Sequence, residues 1–511
     1  MSTKKILAVL LALFVLATAV SGCGNSGSSS ADSQSGSSAT SENSASTEDT
    51  ASTDGEVPTI SLMVVCGTTP PDADAVAEKL SEITREKIGC NVEFITMEIG
   101  NVAQQLNLLL SGGDDTLDVF MAGISVPYST IVNNGQALSL DTLMEPYAEE
   151  VKTALGEKVY ESGRVNGERY GIGRLLGQAS TTCYNLRRDI AEEFGYKNGD
   201  KVDLAELTEL FGKVREKYPD TPLIGPMNGV PSIGDSRIDS LGNKLGVLDN
   251  YGQDTTVTNY YESAGYEELV GYFKQWKEMG CYMADILNVT DAPIDYIPSG
   301  KAFGCFASHF SAEMNGIWSS QNFGTDIASL QIYEDAVAIT PGAYECINPA
   351  TKNPEAAAAL IYLMATDPDV ENLLINGIEG QHYQVLEDNT ATYVDGKDIS
   401  TTGWCLGYSW TALNSTISIP FEYPADYYDR MLAANKNAQQ SKAFGCQFDL
   451  TGVSDAVSAC TNVVNQYENA LSGGAVEDFD ATLAQFQQGL RDAGIDEIVA
   501  AKQEQIGRAH V

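Results

Sequence analysis

ISLMVVCGTTPPDADAVAEKLSEITREKIGCNVEFITM, residues 60–97, decides the fold. Residues 60–66 form an apolar run that stops at Gly67-Thr68-Thr69-Pro70-Pro71, the pattern of a buried strand followed by a loop. Residues 72–87 have helical spacing, with Val76, Leu80 and Ile83 on one face and Gly89 as the stop. Residues 92–97 read as a second strand. Residues 102–110 repeat the helical pattern up to Ser111-Gly112-Gly113, and residues 117–121 make a third short strand after the acidic turn Asp114-Asp115. Two β-α-β units in succession imply a parallel sheet with helices on its faces, an α/β architecture. In such sheets ligands lie outside the carboxyl ends of the strands. That aims loops 67–71, 100–101 and 122–128 at one crevice and makes Thr69 and Tyr128 candidate ligand contacts.

Further along, Val165-Asn166-Gly167-Glu168-Arg169-Tyr170-Gly171 carries the Asn-Gly signal of a tight hairpin. Thr181-Thr182-Cys183-Tyr184-Asn185 is strand-like and leads into a helix over residues 187–194. A chain of 511 residues exceeds one ordinary domain, so two lobes are expected. The net charge is −40, carried mostly by the folded part. An acidic surface excludes nucleic acid and flat docking on anionic lipid, which need a basic face, and favours a neutral or cationic ligand.

The N-terminus reads differently. Lys4 and Lys5 precede residues 6–20, which are apolar except for Thr18, and Val20-Ser21-Gly22-Cys23 follows. The apolar run falls short of the roughly 20 residues of a membrane span. The order is that of a secretory signal over residues 1–22, and Val20-Ser21-Gly22-Cys23 resembles the bacterial lipoprotein box, so Cys23 is the expected lipidation site. Acyl chains contribute about 0.8 kcal/mol per buried CH₂, so two or more anchor stably. Residues 24–56 are mostly Ser, Gly, Ala, Thr, Asp and Glu, without Lys, Arg or aromatics, a composition expected to stay disordered as a linker. Its root-mean-square reach is about 30 Å, with a contour limit near ~110 Å. Ten cysteines leave nine after Cys23, scattered without C-x-x-C. Most sit in apolar runs and read as small buried hydrophobes, not as a zinc site.

The motifs in order resemble a known family. A third strand with Asp118-Val119-Phe120, an N-G-x-x-Y-G-I hairpin and Tyr184-Asn185 before Arg187 resemble the extracellular solute-binding proteins of ABC importers. Ser299-Gly300-Lys301-Ala302-Phe303-Gly304-Cys305-Phe306 is similar to a second-lobe strand of that family, and Asn353-Pro354-Glu355 to a helix start with Pro in the first turn. Gly377-Ile378-Glu379-Gly380-Gln381-His382-Tyr383 resembles the G-I-E-G-x-H-Y motif of a Gram-positive branch of these lipoproteins. Ser441 to Asp449, then Gln466-Tyr467 and Ala493-Gly494-Ile495-Asp496, follow the same branch, with Cys446 where an aromatic is usual.

The resemblance implies a periplasmic-binding-protein-like α/β fold of two lobes with a cleft between them and a hinge. Lobe one would take residues 57–180 and 342–400, lobe two 181–341 and 401–505. It implies a monomer on the outer face of the cytoplasmic membrane that binds a saccharide, closes, and is read by the permease subunits of an ABC transporter. It implies no cofactor, no metal and no catalytic residue.

Sugars present apolar C–H faces edged with hydroxyls, so flat rings and polar side chains are the expected contacts. Trp404, Tyr408 and Trp410 lie in GWCLGYSW and share a face at strand spacing; Tyr423, Tyr427 and Tyr428 follow. A face inside a lobe would serve equally well as core. Tyr184 and Arg187 stand at the crossover between lobes, where Arg187 either meets ligand or caps the hinge with an ion pair. His309, in CFASHF, follows a second-lobe strand. Glu379 and His382 read as turn residues whose side chains tie down backbone. A peptide or other polar solute is the alternative ligand. A glycoside hydrolase needs two carboxylates across a cleft, a pattern without meaning by sequence alone among 70 acids. There is no G-x-S-x-G, H-E-x-x-H or P-loop. Residues 506–511, IGRAHV, read as non-native C-terminal residues.

Overall fold

The computed structural model describes residues 57–113, 115–227, 233–289, 291–333, 336–404 and 411–509. The quoted stretch forms β1 (Thr59–Cys66), α1 (Ala73–Ile88) and β2 (Asn91–Glu98), and α2 (Val102–Ser111) leads to β3 (Val119–Ala122). β1 pairs in parallel with β2 and with β3, the pairing that helical crossovers between neighbouring strands produce. Alternate residues of β1 enter two cores: Ile60, Leu62 and Val64 pack with Val76 and Leu80 of α1, while Met63 and Val65 pack with Leu106 of α2 and Phe120. Burial on both faces is why the strand reads as an unbroken apolar run rather than an alternating one.

Two antiparallel strands complete this first sheet. β4 (Gly171–Gly173) follows the hairpin Arg164–Val165 / Glu168–Arg169, whose turn residues Asn166 and Gly167 have φ of 52° and 90°. Both left-handed values are those of a type I′ turn, which explains the Asn-Gly pair. The chain then crosses into β5 (Ala179–Arg187), the centre of a second sheet with β6 (Gly304–His309), β7 (Ile327–Gln331) and β8 (Val337–Ala338), all antiparallel to it. Between β6 and β7 lies α3 (Ala312–Phe323), whose Asn315 is bonded to Asn185 and Ser329 within the core. β9 (Tyr344–Ile347) returns to the first sheet, giving the order β2-β1-β3-β9-β4, and α4 (Pro354–Thr366) follows with Pro at its first position. A third crossing runs through α5 (Tyr427–Asn437) into β10 (Gln439–Gln440), beside β8. The C-terminal α6 (Ile495–Ala509) belongs with the second sheet, where Tyr184, Phe211, Trp276, Phe306, Ile495 and Ile498 share one core.

The architecture is therefore α/β with two lobes, each with its own core, joined by three chain crossings. One segment departs from the expected partition. Residues from 401 onward were expected with lobe two, but Trp404, Leu413 and Phe421 pack in the core of the first sheet with Ile60 and Leu360. Met431 of α5 is the residue that packs across, against Phe310 and Met314. Eight described cysteines are free, all buried except the half-buried Cys446. Cys23 and Cys405 lie outside the described residues. Among the described residues no helix is long and apolar enough to cross a membrane.

Candidate functional site

A cavity of about 620 Å³ opens where the crossing chain, the end of β6 and the 415–431 segment meet. Ser180 of the first crossing contributes a hydroxyl, and Ser308, His309 and Phe310 arrive from the carboxyl end of β6. Ile375, Ser415 and Phe421 come from the lobe-one side, and Tyr423, Tyr427 and Tyr428 from the turn and first residues of α5. The site thus draws on both lobes and lies at a strand end, where α/β folds place ligands.

Its rings form one group. Tyr423 and Tyr427 stack with centroids 4.0 Å apart, Phe310 meets Tyr427 edge-on at 5.4 Å, and Tyr428 meets it at 5.3 Å. The turn that delivers Tyr423 is strained: Glu422 has φ of 58°, a conformation that persists only where its surroundings over-determine it. Thr392 donates to the Glu422 carboxylate and Gln321 of α3 to its carbonyl, which fixes the turn from both sides. Tyr428 is held by Ser418, 3.0 Å away. Burial pushes the Tyr427 phenol up to about 12, so the rings are neutral donors at neutral pH.

Polar groups interleave with the rings. His309 places Nδ1 3.0 Å from the Ser311 carbonyl oxygen, and burial pulls its pKa down to about 4, so it is a neutral imidazole. Either tautomer leaves Nε2 to serve a hydroxyl. Arg174 is the one cation among the described lining residues, and none of them is Asp or Glu. Its Nε donates to the Ala412 carbonyl. Behind it lie two buried acids, Glu345 of β9 and Glu371, which burial pushes up to about 8 each, with Arg174 opposing. A larger cavity of about 950 Å³ lies beside the 164–169 hairpin, against residues 440–449 and α6. Its lining is mainly charged and amide side chains, including Lys158, Glu161, Arg164 and Asp449, with Phe444 as its single ring. The smaller cavity is the candidate site, because rings, neutral donors and a strand end coincide there. Among the described residues no group of three His, Cys, Asp or Glu side chains is placed to hold a metal ion.

Of the residues singled out from sequence, the cavity takes in His309 and the tyrosines of the later aromatic run, Tyr423, Tyr427 and Tyr428. Thr69 is exposed in the loop after β1 and does not line it. Tyr128 is core: its hydroxyl donates to the Gly163 carbonyl at 2.6 Å and its ring stacks on Tyr344 at 4.2 Å. Tyr184 is fully buried, donating to the Leu223 carbonyl at 2.7 Å, with Phe211 and Phe306 against its ring. Arg187 forms an ion pair with Asp189 and lies over Phe303. It does not line the cavity, and it stands at the end of β5 opposite the crossing at Ala179. Trp404 donates its indole N–H to the Leu374 carbonyl at 3.2 Å and sits in the lobe-one core. Tyr408, Trp410 and the lipidation candidate Cys23 lie outside the described residues. Sequence reasoning did not single out Arg174, Phe310 or Phe421. Phe310 had a signal, because it adjoins His309 just past the strand.

Comparison with known proteins agrees with this architecture. A family model described as a domain of unknown function (DUF3502) matches residues 442–509. The chain is 23% identical over 462 residues to a carbohydrate ABC transporter substrate-binding protein of Streptococcus pneumoniae, covering 88% of this chain and 90% of that one. Among solved structures, the N-glycan transport solute-binding protein NgtS of Streptococcus pneumoniae superposes with a TM-score of 0.75 at 20% identity, covering 88% of this chain and 98% of that one. NgtS in complex with Man5GlcNAc superposes with a TM-score of 0.65 at 20% identity, again covering 88% of this chain and 98% of that one. An HMO-binding, ABC-transporter-associated solute-binding protein of Bifidobacterium longum infantis gives 0.59 at 15% identity, covering 88% and 98%. The chain is thus similar along nearly its whole folded length to a substrate-binding protein of ABC transporters, and it has the two-lobe fold of the solute-binding proteins.

Proposed function

We propose that this protein captures an oligosaccharide between its lobes, closes on it by hinge motion, and hands it to the membrane subunits of an ABC permease. The observation that carries the reading is the cavity itself: stacked tyrosines and Phe310 at the end of β6, edged by Ser180, Ser308, His309 and Ser415, without a carboxylate among its described lining residues. Ring faces cover sugar C–H faces, and hydroxyl, imidazole and guanidinium groups bond the sugar hydroxyls. Two-carboxylate hydrolysis finds no acids in that lining, which supports binding without turnover. The ligands named for NgtS support the sugar class, and we take lobe one to extend from residue 57 to the first crossing and from β9 to about Phe421. An acyl chain on Cys23 would hold the lobes near the permease, and the linker would keep them at high effective concentration beside it.

Isothermal titration with oligosaccharides, Man1GlcNAc and Man5GlcNAc among them, and with a peptide set tests this. Micromolar or tighter binding of a sugar is expected, about −8 kcal/mol or better, with no product by chromatography. Sugar release at enzymatic rates, or binding confined to peptides, overturns the reading. Cys23→Ala is expected to move the protein from the membrane fraction to the medium. Undiminished attachment would remove the anchor.

A further inference from the structure

The G-I-E-G-Q-H-Y run does not line the cavity, yet it ties the turn at Gly403 to Asp72, which is 310 residues from His382. Gly377 ends the helix Pro368–Asn376 with φ 77° and ψ −144°. A β-carbon there would stand 2.3 Å from Nδ1 of His382 and 2.9 Å from Cδ1 of Trp404, so only glycine admits the imidazole. The ring is fully buried. Its Nδ1 accepts the Ile378 N–H at 2.8 Å, which fixes the tautomer: Nε2 carries the proton and donates to Asp72 Oδ2 at 3.1 Å. Asp72 closes the loop that leaves β1, and its backbone N–H donates to the Gly403 carbonyl at 3.1 Å. Gly403 has φ of 90°, and a β-carbon on it would stand 2.3 Å from Asp72 Oδ2. Thr402 Oγ1 donates back to the His382 carbonyl at 3.0 Å, and Gln381 Nε2 to Asp72 at 3.1 Å.

We infer that His382 is a positioning residue that locks the loop after β1 and the turn at Gly403 and Trp404 into one unit. This rests on the reading of the interlobe cleft as the ligand site, because that loop stands at the carboxyl end of β1. His382 touches none of the described residues lining the cavity and acts only through Asp72 and Gly403. The unit is sensitive to acid. Burial lowers the His382 pKa, against the bond it donates to Asp72, and Lys397 adds to the lowering. Asp72 and Lys397 are the charged groups that act on the ring. Protonating Nδ1 sets an N–H against the Ile378 N–H. The folded pKa lies below the unfolded one, so the stabilisation is present above the unfolded value and is lost as pH falls through the folded one.

Hydrogen exchange read by mass spectrometry on the ligand-free full chain tests the inference without a ligand. Asparagine at 382 keeps an oxygen near the Nδ1 position for Ile378 but cannot reach Asp72. His382→Asn and Asp72→Ala are expected to speed exchange at least tenfold in both 67–72 and 402–404, with β4 and β9 unchanged. Asp72→Asn keeps the acceptor and is expected to restore wild-type exchange. In the wild type the same two segments are expected to loosen together as the pH falls below the ordinary imidazole value of 6.5, after correction for intrinsic rates, and in His382→Asn that step is absent. Faster exchange confined to 376–383, spread evenly over the lobe, or unrescued by Asp72→Asn would overturn it. A failure of every glycan to bind would sink the proposed function yet leave this coupling intact, so the two failures are distinguishable.

Discussion

Replacing Glu345 by Gln is expected to change stability little at pH 5 and to stabilise the protein increasingly from there to about pH 8, where the gain levels off. Glu345 lies in β9 between Met121 and Ile172, fully buried, and neither carboxyl oxygen has a hydrogen-bond partner among the described residues. Glu371, also fully buried, accepts the Leu413 N–H at 3.0 Å through one oxygen. Arg174 is buried beside them, and desolvation pulls its pKa down to about 10. One guanidinium stands near two acids, so at neutral pH at least one of them keeps its proton. Each carboxyl is pushed up to about 8, from an ordinary 4.5, by burial. The folded pKa lies above the unfolded one, so the neutral acid contributes stability that is complete below pH 4.5 and is lost as pH rises through about 8.

The free energy at stake is on the order of a few kcal/mol at pH 8.5, because each pKa unit corresponds to about 1.4 kcal/mol and the two acids titrate as a pair. Glutamine keeps the shape and cannot ionise, so it removes the alkaline penalty. Glu371 then faces Arg174 without a second acid and ionises more easily. Urea melts of the wild type and Glu345→Gln at pH 5, 7 and 8.5 check this. Parallel pH profiles would show that the acids are not linked to folding. Because Arg174 reaches the cavity from the same cluster, the variant also tests whether charge behind the sheet is felt at the site.

The difference between what the sequence disclosed and what it did not has a physical pattern. The first three strands and two helices were legible because both faces of β1 are buried and each helix shows one apolar stripe, so periodicity alone carries them. The hairpin was legible because Asn166 and Gly167 must both take positive φ. The rings at 423, 427 and 428 were legible as an aromatic run that serves sugar or core equally well, and they line the cavity. Tyr128 and Tyr184 failed as ligand contacts for a common reason. Position at a strand end gives depth along the sheet, not direction, and both rings turn inward to give their hydroxyls to backbone carbonyls. Trp404 failed likewise, since its indole N–H is spent on Leu374. Arg174 and Phe421 were invisible because their roles depend on a crossing and on a segment, 411–421, that returns to lobe one.

Tyr423→Ala and Tyr427→Ala are expected to weaken sugar binding by about 2 kcal/mol each, roughly 30-fold in Kd, the usual size for losing a tyrosine that anchors a binding pocket. Both rings are half-buried and line the cavity, stacked at an interplanar angle of 17°. The stack matters more than either hydroxyl. Tyr423→Phe and Tyr427→Phe keep the ring faces and are expected to lose less than a factor of five, the worth of one neutral hydrogen bond of about 1 kcal/mol. Because each ring supports the other, the double alanine variant is expected to lose less than the sum of the singles. Titration with the tightest glycan of the panel measures this, and thermal melts without ligand separate lost contact from lost fold. Tyr427 also packs on Phe310 at 5.4 Å, so its truncation lowers the melting temperature more than that of Tyr423. If Tyr423→Ala bound the glycan as tightly as wild type while Thr69→Ala lost it, the sugar would sit at the end of β1 rather than at the end of β6. The stacked pair would then be a hinge support.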